Sequence, residues 1–152
     1  MTHPMTHPMT HPLMHRLQHI WHSYRSLPLW VQVWVGAILV PVNALSFLLL
    51  HTPTGQWAAW AALFVVATNV PIMWVARGMS KLMSVPHLIA WLPLQVALLA
   101  RLAGQLGATP LQPFEQPLIL ALLLTNGISL VFDAIDSVRW LQGDRAVPGM
   151  PS

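Results

Sequence analysis

Long apolar runs separated by short polar breaks dominate the chain from Leu27 onward. Leu27 to Leu50 and Trp57 to Ala76 contain no charged residue. Met83 to Ala100 is a third run, with His87 near its start, and Pro117 to Phe132 begins a fourth. A helix rises about 1.5 Å per residue, so roughly 20 residues cross the ~30 Å of hydrocarbon in a bilayer. The pattern predicts an all-α membrane protein with four transmembrane helices at about 27–50, 57–76, 83–102 and 117–138. Short connections around residues 50–56 and 78–82 make the first three spans sequential antiparallel neighbours. An up-down four-helix bundle is the simplest arrangement. The longer third loop, 103–116, with Pro110 and Pro113, reads as its least constrained part.

Ahead of the first span the periodicity changes. Leu13, Leu17, Ile20, Trp21 and Tyr24 recur at helical spacing while His15, His19, His22 and Arg25 gather on the other side. Residues 13–26 are therefore expected to form a short amphipathic interfacial helix before Pro28 redirects the chain. Residues 1–12 are three copies of Met-Thr-His-Pro, and a proline at every fourth position favours an extended, disordered tail. Residues 141–152 read as a second disordered tail.

Composition agrees with the pattern. Only 7% of the 152 residues are charged and 55% are hydrophobic, against roughly a quarter charged in a soluble domain. The absence of cysteine excludes disulfides and thiolate metal sites. The seven Lys and Arg are scattered singly, which argues against nucleic acid and makes them topology signals. Arg16, Arg25, Arg77, Lys81, Arg139 and Arg145 fall at one face and Arg101 alone at the other. The positive-inside rule then places both termini in the cytoplasm, with a bacterial inner membrane as the expected location. Trp57 and Trp60 at one level, and Trp30, Trp74 and Trp140 at the other, suit aromatic belts. The lipid bilayer is the implied partner, together with a homo-oligomeric copy or another membrane protein.

Candidate chemistry lies in the polar residues of the spans. Each span carries an amide well inside its ends, Asn43, Asn69, Gln95 and Asn126, the first three two residues from Pro41, Pro71 and Pro93. Prolines leave carbonyls unpaired, which gives the amides a structural reason, and Gln95 with Asn126 is the expected cross-helix pair. Asp133 and Asp136 share a helical face near the cytoplasmic boundary. Asp136 is expected to pair with Arg139, and Asp133 with Arg77 or Lys81, His87 being at the same level. A packing role through interhelical hydrogen bonds and an ion-pair cluster competes with a polar track for protons, ions or a small solute.

His15, His19 and His22 at i, i+4 and i+7, or His3, His7 and His11 in the tail, could supply metal ligands. Phosphate-binding glycine loops, a zinc-protease helix and a nucleophile elbow are absent, and no cofactor is implied. Small multidrug exporters also have four spans, but they carry a coupling carboxylate in the first, where this chain has none; the resemblance is architectural. The expected function is a non-enzymatic structural or accessory membrane component. The alternatives are a small oligomeric transporter or channel and a membrane-anchored metal-binding sensor.

Overall fold

The computed structural model describes residues 12–151; residues 1–11, with His3, His7 and His11, lie outside them, and Pro12, the last residue of the repeats, opens the first helix. A short helix, α1 (Pro12–Arg25), precedes four helices long and apolar enough to cross a membrane. These are α2 (Leu29–Leu49), α3 (Pro53–Ala76), α4 (Ser84–Leu102) and α5 (Glu115–Leu141). A single 3-10 turn, Lys81–Met83, leads into α4. The helices run alternately up and down, so both ends of the described chain lie at one end of the bundle, here the tail end. The 50–52 turn and the 103–114 loop lie at the other, the loop end.

The first turn is shorter than the 50–56 connection expected from the apolar pattern, because cap chemistry starts α3 early. Thr52 is the N-cap, its hydroxyl accepting from the Gly55 amide at 3.0 Å, and Pro53 occupies the first turn, where its missing N–H costs nothing. The same hydroxyl donates to the Leu49 carbonyl at 2.8 Å, locking the end of α2 to the start of α3. A Cβ on Gly55 would lie 2.0 Å from the Leu49 oxygen, so this approach requires glycine.

Prolines act unequally. Pro71 and Pro93 sit inside continuous helices. In α2, Pro41 follows a π-helical stretch, Trp34–Leu39, and the span ends in a 3-10 segment, Leu45–Leu49. Pro41 offers no N–H and its ring crowds the preceding turn, and widening that turn accommodates both.

The apolar core comprises Leu39 of α2, Ala58 and Val65 of α3, Trp91, Leu94 and Leu98 of α4, and Leu118, Ile119, Leu122 and Leu130 of α5. Helix α5 packs most extensively on α4 and also touches α2 and α3. Ala58 and Ala59 are buried, as their small size permits. Trp60, Val66, Val96, Leu124 and Val131 point outward, so apolar surface covers the exterior at mid-span.

Helix α1 lies across the tail end. The Ser23 hydroxyl accepts from the Met79 amide at 2.9 Å, and Arg16 donates to the Trp74 carbonyl with its guanidinium over the indole. Gln32 donates to the Arg25 and Leu27 carbonyls, and Tyr24 to the Gln32 carbonyl at 2.6 Å, fixing the bend at Pro28. Leu13, Met14, Leu17 and Trp21 face outward as an apolar stripe. The segment 142–151, read from sequence as a tail, contacts the same end: Lys81 meets Asp144 at 3.1 Å, and Gly149 lies against Ser26 and His22.

Candidate functional site

Polar side chains join the spans at three levels. At the loop end, Arg101 closes α4 and Glu115 opens α5, both almost wholly buried. The guanidinium engages the carboxylate bidentately, Nε to Oε1 at 2.9 Å and Nη2 to Oε2 at 3.0 Å. Thr54 of α3 donates to Oε1 and the Gln112 amide to Oε2. The remaining guanidinium donors reach the carbonyls of Leu106, Thr109 and Pro110. The loop read as least constrained is thus wrapped around one cation, and Gly107 passes so near that a Cβ would meet Nη1 at 2.6 Å. The sequence carried a signal for this: a lone cation and a lone acid bracket the same loop.

At mid-bundle the expected Gln95–Asn126 pair is replaced. Asn43 donates to Asn126 Oδ1 at 2.8 Å and Asn126 returns a bond to Asn43 Oδ1 at 3.2 Å. Asn43 also donates to the Leu39 carbonyl. Helical facing explains the change. Gln95 reaches the Leu122 and Leu123 carbonyls and lies 3.6 Å from where a Gly127 Cβ would stand, on the side of α5 that meets α4. Asn126 is about 100° around the helix from Gly127 and faces α2, as does Ser129, which accepts from the Trp34 indole. The two asparagines also share a depth, because α2 starts at Leu29 and α5 runs on to Leu141. Asn43 and Asn126 each lie roughly 20 Å from the tail end of their helices.

One to two turns inside the tail end, three helices meet at His87 of α4. Its Nε2 lies 2.9 Å from Asn69 Nδ2 of α3, and its Nδ1 lies 3.0 Å from Asp133 Oδ1 of α5. Trp91, one turn further along α4, stacks on the imidazole at 4.3 Å between centroids and 11° between planes. His87, not Arg77 or Lys81, is therefore the partner of Asp133. Lys81 sits in the turn before α4 and pairs with Asp144 instead. Arg77 ends α3 in the left-handed region, φ 56°, with an exposed side chain. Reaching Asp133 would draw a long cation inward, whereas His87 already stands beside it. Asp136 and Arg139 lie 4.0 Å apart along α5, both substantially exposed. One turn tailward of His87, the Ser84 and Ser137 hydroxyls meet at 2.7 Å.

Three buried polar atoms near this histidine lack a protein partner among the described residues: Asn69 Oδ1, Asp133 Oδ2 and Trp91 Nε1. Groups this deep are ordinarily paired, so the cluster holds spare hydrogen-bonding capacity. Outside the spans, the Lys81 hydrogen bond holds the Asp144 carboxyl below its ordinary range.

The histidines of α1 are arranged differently. His15 and His19 rings lie 4.3 Å apart, while His22 turns against Gly149. Among the described residues, no three His, Asp or Glu side chains are gathered closely enough to hold a metal ion. Compared with protein-family models, curated proteins and solved structures, the chain has no match in any of the three.

Proposed function

We propose that this chain is a non-enzymatic structural or accessory component of a bacterial inner membrane. Both termini face the cytoplasm, and its apolar exterior meets lipid, a second copy or another membrane protein. The observation that carries the reading is the reciprocal Asn43–Asn126 amide pair, which spends both groups on joining α2 to α5. Polar groups consumed by one another in this way fix helix packing rather than hydrate a passage. The orientation follows from charge: six cations at the tail end face Arg101, which Glu115 neutralises at the other.

Purified protein in liposomes tests the function. Transport predicts a proton or ion flux that Asp133→Asn and Asn69→Leu abolish while folding is retained; that outcome sinks the packing reading. Native mass spectrometry from detergent should show a second copy or a co-purifying membrane protein. A tag on Ser152 that is reachable from outside intact cells would reverse the orientation.

A further inference from the structure

We propose that Asn69, His87 and Asp133 form a binding site for one proton, one to two turns inside the tail end of the bundle. The starting arrangement has the Asn69 amide nitrogen facing the ring. With the Asn69 amide donating to His87 Nε2, the ring is neutral and its single proton sits on Nδ1, donated to Asp133 Oδ1. The cluster then carries one negative charge on a largely buried carboxylate, with Asn69 Oδ1 and Asp133 Oδ2 unpartnered among the described residues.

A hydronium ion delivers its proton to Nε2, forming an N–H bond and leaving water; no electron changes hands. The imidazolium keeps its Nδ1–H bond to Asp133, and Asn69 accommodates the new donor by turning its terminal amide through a half circle to present Oδ1. The two ends of an amide are nearly equal in size, so no helix has to move. The bound form is a neutral ion pair, and the Trp91 ring already stacked on His87 offers its face to the cation. The His87 and Asp133 side chains keep 16% and 15% exposure, and the buried Ser84–Ser137 hydroxyl pair forms the next polar layer toward the tail end.

Few other charges act on the cluster. Asp136 lies three residues along α5. Lys81, in the turn before α4, is engaged by Asp144. Arg77 ends α3, and Arg16 of α1 is turned onto Trp74. Helix α2 contributes no titratable side chain. The inference is independent of the packing role, which rests on the central amides.

Full-length protein with 15N-labelled histidine, in vesicles of phosphatidylcholine and phosphatidylglycerol, provides the test. The His87 signal is assigned by its loss in His87→Gln, and ring N–H signals are followed from roughly pH 8 to 5. The expected result is one ring N–H on Nδ1 at the alkaline end and two at the acid end. Asp133→Asn should lose the two-proton form over this range and Asp133→Glu should restore it, with helical content unchanged. A His87 ring that keeps a single N–H throughout in folded wild-type protein overturns the proposal, as does a titration unaltered in Asp133→Asn. Should the same vesicles show proton flux that disappears in Asp133→Asn, this inference stands and the packing reading falls. Absence of titration in an intact assembly removes the proton site and leaves the packing reading untouched.

Discussion

The two ionisable centres, one at each end of the bundle, are built on opposite principles. Around Arg101 and Glu115 every donor and acceptor finds a protein partner: two for the pair itself, then Thr54, Gln112 and three loop carbonyls. Around His87 and Asp133 the bonds form a chain with loose ends. A saturated network leaves no room for an added proton without breaking a bond, and so acts as a structural lock. An unsaturated one has two arrangements of similar hydrogen-bond count, and so can respond to its surroundings.

Five variants or conditions sharpen this contrast. The largest expected effect is at the lock. Glu115→Ala strands a buried guanidinium and should cost about 3–5 kcal/mol, read as loss of stability in denaturing-detergent titration. Replacing both partners, Arg101→Met with Glu115→Leu, should recover most of that loss. A double variant as unstable as the single would mean that the loop carbonyls depend on the cation itself.

Next is the centre, where Asn126→Leu leaves Asn43 without its cross-helix partner and should cost roughly 1–2 kcal/mol in the same titration. Equal stability would show that Leu39 alone satisfies Asn43. At the responsive end, Asp133→Asn should change stability by less than about 1 kcal/mol, since it keeps the shape and an acceptor. A loss as large as that of Glu115→Ala would abolish the distinction between the two ends.

The smallest effect is at Asp144. Its carboxyl is held below its ordinary value by the hydrogen bond from Lys81, so the contact is strongest above the free carboxyl value of about 4 and weakens as pH falls through the lower folded value. Protection from hydrogen exchange in 142–151, taken relative to the intrinsic rate at each pH, should therefore fall on acidification below about pH 4. Protection that is indifferent to that change would detach Asp144 from the holding of the segment.

Hydropathy made the four spans legible because a bilayer imposes length and apolarity together. It located their ends less well: α3 begins at Pro53 through the Thr52 cap, and α5 runs on to Leu141 past the charges of Asp136 and Arg139. The polar residues of the candidate site could be named, and the common level of His87 and Asp133 was readable by counting. Their pairing was not, since it depends on which face of each helix meets which neighbour. Asn126 and Gly127 are adjacent in sequence yet address different helices. The Arg101 loop escaped because proline-rich segments without helical period resemble flexible linkers, and its one sequence sign, a cation and an acid at its two ends, does not say that the loop folds around the guanidinium.

The contact between Gly55 and the Leu49 oxygen bears on how the chain enters the bilayer during synthesis. The three residues that join these two spans, none bearing a fixed charge, make a turn that in the proposed orientation crosses the membrane at little electrostatic cost. In the proposed orientation the second translocated connection is equally cheap once Arg101 and Glu115 have met, so the lock between α4 and α5 also discharges the segment that has to cross.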